Sequence, residues 1–164
     1  MAKDVAYDGR EEPTLDGSGL RVAVVCGRFN DHVTVRLLDG VRRGLAAIGV
    51  PAEATREVWV PGAFEIPITA KTFAASGTVD AVIGIGCVIR GDTAHFDYVA
   101  GQCAQGLQQA GLDTGVPCVF GVLTTEDLDQ ALARSEDAGG HNVGEESART
   151  AVEMASLLAS IPKT

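Results

Sequence analysis

Nowhere in the 164 residues does an apolar run approach the ~18 needed to cross a bilayer, which excludes a membrane-spanning helix. Basic residues are also scarce. Thirteen Lys and Arg stand against 22 Asp and Glu, a formal charge of −9. With no surplus to offset a phosphate backbone, a general nucleic-acid binder is excluded, whereas a small anion needs only one or two local positive groups. No apolar stretch interrupts Lys3, Asp4, Asp8, Arg10, Glu11 and Glu12, so no signal peptide is expected. The four cysteines, Cys26, Cys87, Cys103 and Cys118, form no C-x-x-C pair and lie in apolar surroundings. They read as small buried hydrophobes in a reducing cytoplasm, not as a disulfide framework or a zinc site. The Walker pattern is absent. Gly84-Ile85-Gly86 lies within a strand, so it is no dinucleotide fingerprint.

What is present is a strand–helix alternation. Residues 1–19 are polar and read as a tail, flexible unless a neighbouring chain orders it; residues 20–164 read as one domain without repeats. Short apolar strands are expected at 21–26, 52–60, 81–88 and 116–123. Helices are expected at 32–48, 64–75 (with Pro67 tolerated near its start), 94–110, 125–134, and from about Asn142 to Ile161, where Asn142 and Glu145 resemble a capping box. Near-continuous apolar strands joined by helices imply a parallel four-stranded sheet covered on both faces, a three-layer α/β/α sandwich. Right-handed crossovers bring every strand's C-terminal end to one edge, where ligands bind. The residues to inspect are therefore 27–30, 61–65, 88–95 and 120–125.

The densest chemistry is in residues 84–98. The apolar run from Ala81 to Ile89 stops at Arg90-Gly91, and a polar turn leads to a helix start carrying His95, with Thr93 as its expected N-cap. Phe96, Val99, Cys103 and Leu107 follow at helical spacing. His95 either caps the helix or moves protons near neutral pH. Gly91, Asp92 and Thr93 either form a plain cap or cradle a phosphate through backbone amides and a hydroxyl. Phe29 and Phe120, at the ends of the first and fourth strands, either pack in the core or stack on a planar heterocycle. Glu65 either complements a helix dipole or binds ligand hydroxyls, and Arg134 has reason enough to sit at a helix C-terminus. His32 sits one loop away from this edge.

Four blocks in unbroken order carry a family resemblance: Gly27-Arg28-Phe29-Asn30, Val60-Pro61-Gly62-Ala63-Phe64-Glu65-Ile66-Pro67, the run from Cys87 through Arg90-Gly91-Asp92-Thr93-Ala94-His95 to Val99, and Phe120-Gly121-Val122-Leu123-Thr124-Thr125-Glu126. Together they resemble lumazine synthase, the penultimate enzyme of riboflavin biosynthesis. The resemblance implies a flavodoxin-like fold. It also implies condensation of 5-amino-6-(D-ribitylamino)uracil with 3,4-dihydroxy-2-butanone 4-phosphate to 6,7-dimethyl-8-ribityllumazine, phosphate and water, with no metal or organic cofactor. Matched motif by motif, His95 falls on the acid–base histidine and Phe29 on the ring that stacks on the pyrimidine. Ala63, Phe64, Glu65, Cys87, Val88 and Ile89 fall on the pyrimidine and ribityl site, and Asp92 and Thr93 on the phosphate loop. Phe120 and Arg134 match residues that the family supplies from the adjacent subunit.

The partners so implied are the two small-molecule substrates and further copies of the chain. These would form a homopentamer, with a shell of sixty subunits and an association with riboflavin synthase also compatible with the resemblance, and the N-terminal tail pairing with a neighbour's sheet edge. One departure stands out. The family usually carries a lysine where Val143 stands, and the link from Arg134 is about one residue longer. Either Arg134 suffices for the phosphate or His141 substitutes in part, and Gly139-Gly140 is expected to keep the link flexible. A non-catalytic flavin or lumazine binder, or a shell-forming homologue, is the alternative from another class. A flavodoxin-like module for some other phosphorylated ligand explains the alternation but not the clustered motifs.

Overall fold

The computed structural model describes residues 12–163. Four strands, β1 (Val22–Gly27), β2 (Thr55–Val60), β3 (Ala81–Ile89) and β4 (Cys118–Thr125), form one parallel sheet in the order β2-β1-β3-β4. Every residue of β1 is buried, as a central strand covered on both faces requires. Its side chains alternate between two cores. Val22, Val24 and Cys26 face α1 (Asp31–Ala47) and α5 (Val143–Ser160), while Ala23 and Val25 face α2 (Ile66–Ala75) and α3 (His95–Thr114). The result is the three-layer α/β/α sandwich of flavodoxin-like type. Helix α1 follows β1 on one face and α3 follows β3 on the other, so the loops leaving these adjacent strands diverge and open a crevice between them.

Element boundaries shift for identifiable reasons. Pro51 starts a 3₁₀ turn at Ala52–Ala54, so β2 begins at Thr55. A second 3₁₀ turn, Ala63–Glu65, precedes α2 and leaves Pro67 within its first two positions, where its missing N–H has no partner to lose. Thr125 ends β4, and α4 is the short Leu128–Leu132, capped by the Asp127 carboxylate accepting Gln130 N–H at 2.8 Å. Helix α3 runs on to Thr114 and stops at Gly115, whose φ of 70° only glycine adopts freely. Before β1, Leu15 and Leu20 pack on the α1/α5 core, and Gly17 N–H donates to Ile48 O at 2.6 Å. The proposed pairing of the extreme N-terminus with a neighbour lies outside the described residues.

The link between α4 and α5 is not a loose kink. Glu136 N–H donates to His141 O and Val143 N–H to Arg134 O, both at 2.9 Å, and these bonds flank an antiparallel Ser135–Asn142 pair. A turn at 137–140 closes the hairpin, with Gly139 at φ 93°. Ser135 and Asn142 point inward and are buried. The Asn142 amide is fully used: its oxygen accepts Gly144 N–H (2.9 Å) and Glu145 N–H (3.3 Å), and its nitrogen donates to Arg36 O (3.1 Å) and Glu136 O (2.9 Å). The expected capping box is therefore one-sided, because the Glu145 carboxylate turns to Arg43, 3.6 Å away.

Asn142→Ala removes a cap and takes one donor from each of two carbonyls that keep another, and should cost about 2 kcal/mol. Asn142→Ser keeps the cap but not the two donations and should lose about half of that. Urea midpoints at constant m-value measure both; a serine variant as stable as the parent would show that the two donations contribute nothing.

Candidate active site

Three loop ends meet at the crevice, and backbone hydrogen bonds stitch them together. Past β1, Arg28 N–H donates to Val60 O (2.9 Å) and Phe29 N–H to Pro61 O (3.1 Å). Asn30 then adopts a left-handed conformation, φ 61°, which asparagine tolerates better than other side chains, and its Nδ2 donates to Cys87 O at 2.9 Å. This ties the start of α1 to the end of β3 and leaves the Phe29 ring 75% exposed toward the crevice. A Cβ on Gly62 would lie 3.4 Å from a Glu65 carboxylate oxygen and 3.8 Å from the Phe29 Cβ, so carboxylate and ring flank the same bare stretch of backbone.

The third wall is the end of β3 and the first turns of α3. The helix begins at His95, with Ala94 at the N-cap position, one residue later than expected. Thr93 still serves the helix end, since its hydroxyl accepts His95 N–H at 3.3 Å. His95 is exposed. A cavity of about 680 Å³ lies between these walls. It is lined by Phe29, Ala63, Phe64 and Glu65 from one side and by Cys87, Val88, Ile89, Thr93 and His95 from the other. Asp92 is exposed on the turn between two lining residues, Gly91 and Thr93, and is not itself part of the lining.

Phe120 and Arg134 lie elsewhere. Phe120, on the edge strand β4, borders a separate hollow of about 700 Å³ between α3, β4 and α5. Arg134 follows α4, with Nη1 donating to Gln130 O at 2.9 Å. His141 is exposed and its Nε2 lies 3.0 Å from Glu146 Oε1; the hairpin pairing puts it on the same face as Arg134. His32 is exposed at the second position of α1, outside the cavity lining.

Asn30 and Pro61 line the cavity within the stretches marked for inspection, and the structure adds Phe96, Tyr98 and Val99 beyond them. Phe96 and Val99 share the helical spacing of the buried Cys103 and Leu107, so periodicity placed them in the core. In the first turns of α3 that face also meets the cavity, which Phe96 and Val99 line while Val99 packs against the core as well. An asparagine between a strand end and a helix start was the available signal for a left-handed turn at position 30.

Among the lining residues the only basic side chain is the imidazole of His95, and the only carboxylate is Glu65. Such a site offers rings to a planar ligand, one proton-transfer group and a carboxylate for hydroxyl or amine hydrogens. Among the described residues there is no group of three His, Cys, Asp or Glu suited to a metal ion, and no helix long and apolar enough to cross a membrane. A family model described as 6,7-dimethyl-8-ribityllumazine synthase matches residues 19–159, nearly the whole chain.

Cys87 lines the cavity, but burial pushes its thiol up to about 11; burial likewise holds Cys118 at about 11 and Cys26 and Cys103 at about 12. The thiolate is the reactive form, so at pH 8 iodoacetamide should label the folded protein at least ~10²-fold more slowly than the urea-unfolded chain. Comparable rates, read by mass spectrometry, would contradict the burial of these thiols.

Proposed function

The chain belongs to the 6,7-dimethyl-8-ribityllumazine synthase family, and we propose from that premise that it condenses 5-amino-6-(D-ribitylamino)uracil with 3,4-dihydroxy-2-butanone 4-phosphate. The single observation that carries the reading is one cavity in which an imidazole shares apolar walls with four aromatic rings and a carboxylate. In this reading the pyrimidine lies against Phe29, and Ala63, Phe64, Glu65, Cys87, Val88 and Ile89 hold the ring and its ribityl chain. Asp92 and Thr93 belong to the loop that receives the phosphate, at the N-terminus of α3, where amides and helix dipole favour an anion.

The 5-amino nitrogen attacks the ketone carbonyl, and loss of one water gives an imine. A proton leaves C3 as the C4–O bond breaks and phosphate departs. The resulting enol returns to a ketone, the ribitylamino nitrogen attacks it, and a second water leaves. Every step is an addition, an elimination or a proton transfer, so no redox partner is required. His95 relays protons, a contribution of roughly 10²–10⁴-fold. Holding the two reactants together supplies more, up to ~7–11 kcal/mol.

The phosphate needs a full positive charge, and the cavity's own lining contains no arginine or lysine. We assign that charge to Arg134 of an adjacent copy, together with Phe120 for the pyrimidine; in each copy both lie on surfaces away from its own cavity. The active unit is then a ring of copies, with a homopentamer as the smallest assembly.

Purified protein mixed with both substrates should raise lumazine absorbance and release phosphate in step, faster than the spontaneous reaction. Tight riboflavin binding without turnover would establish the non-catalytic alternative instead. His95→Ala should slow turnover by roughly 10²-fold, the low end of the range for an exposed imidazole, and leave assembly unchanged by sedimentation; parental rates would remove His95 from the mechanism.

Shared sites predict complementation. Inactive His95→Ala and Arg134→Ala chains, unfolded together in equal amounts and reassembled, should recover about a quarter of parental activity, because that share of interfaces pairs two intact contributors. No recovery, with ring assembly intact, would mean that each site is built within one chain.

A further inference from the structure

Arg90 is the first residue beyond β3, and four exposed residues separate it from His95. An arginine beside an exposed turn at a helix start invites reading as a phosphate ligand, yet its guanidinium is already committed. Nε donates to Glu126 Oε2 at 2.8 Å and Nη1 to Asp97 Oδ1 at 3.2 Å, and the group lies over the Phe96 ring, 4.2 Å from its centroid. Its backbone N–H donates to Thr125 O at 2.9 Å, extending the β3–β4 pairing by one residue. One side chain thus joins three pieces that are separate in the chain: the strand end it leaves, the residue following β4, and the first turn of α3.

We propose that Arg90 is a positioning residue that fixes the turn at 91–94 and the imidazole of His95 relative to the sheet edge. Two carboxylates face the single guanidinium, so Arg90 has no net positive charge to offer a phosphate. Its planar fork serves both acids while its face covers Phe96, a geometry that lysine cannot reproduce with a point charge. The turn's remaining contacts are local, Thr93 Oγ1 with His95 N–H and Ala94 O with Asp97 N–H, and neither anchors it to the sheet. The kinetic half of this inference rests on the function proposed above; the structural half does not.

Arg90→Met keeps the stem and removes the fork. Amide hydrogen exchange should quicken at least tenfold at His95 and Asp97, whose N–H groups bond within the turn, while the β1 and β3 amides keep their parental rates, with Arg90→Lys in between. In the condensation assay kcat should fall about tenfold and KM for the phosphorylated ketone should rise, while KM for the pyrimidine, bound on the Phe29 and Phe64 side, stays within twofold. Parental exchange at His95 and Asp97 would overturn the proposal, and so would an equal rise in both KM values, the mark of general loosening. If Arg90→Met raises exchange throughout the sheet, Asp97→Asn/Glu126→Gln, which keeps the arginine and weakens both partners, decides by the same readings. A protein that never catalyses the condensation would defeat the functional reading and leave the exchange result to judge Arg90 alone.

Discussion

Helices α1 and α5 meet backbone to backbone, and the rest of the molecule is referenced to that contact. A Cβ on Gly44 would fall 2.7 Å from the Ala148 Cβ and 2.9 Å from Glu145 O; at Gly40 it would overlap the Asn142 amide, and at Gly144 the Leu37 carbonyl. Spacing of four puts Gly40 and Gly44 in line on one helix face. The groove they leave admits α5 and the Asn142 amide, which then reads carbonyls on both α1 and the hairpin. Any side chain larger than hydrogen there would push α5 away from the sheet that it covers with Val152 and its neighbouring alanines. Helix α1 begins at Asn30, on the rim of the cavity, so the same contact sets where the hairpin lies relative to that rim.

The cavity follows from topology more than from any one motif. Loops leaving β1 and β3 turn to opposite faces, and residues 61–65 close one side of the space between them. Cross-loop hydrogen bonds from Arg28, Phe29 and Asn30 make these ends one unit and fix the backbone that carries the Phe29 ring. This arrangement leaves Phe29 75% and Phe64 57% exposed, an apolar surface suited to stacking on a flat heterocycle. Under the function proposed above, a chain of net charge −9 would hold its phosphorylated substrate through local amides and the guanidinium of an adjacent copy, not through the field of the whole protein.

The sheet and its ligand edge were readable because β1 and β3 are continuous apolar runs bounded by Gly27-Arg28 and Arg90-Gly91, and such signals survive any tertiary context. Cys87, Val88, Ile89, Thr93 and His95 were readable as a group because they lie consecutively across one strand–turn–helix boundary. What sequence reading missed depends on contacts between distant segments. The hairpin at 135–142 looks like a glycine break until Arg36, about a hundred residues earlier, is seen to donate from Nε to Ser135 O at 2.8 Å. Arg90 looks like an anion ligand until Glu126 is brought beside it. Phe96 looks like core because periodicity records which face of a helix is apolar, not whether that face also meets the cavity. The separation of Phe120 and Arg134 from His95 is invisible to local pattern for the same reason.

The hairpin between α4 and α5 also marks where the chain can be lengthened. Its two rungs and its inward-facing Ser135 and Asn142 grip both arms from below, while Asp137, Ala138, Gly139 and Gly140 lie in solvent. Residues spliced into that tip would extend only the turn, and each doubling of a closed loop costs only ~0.6 kcal/mol. The fold therefore carries a graft point: a short epitope or affinity tag inserted between Ala138 and Gly139 would be displayed outward, and a ring of copies would display it at every subunit.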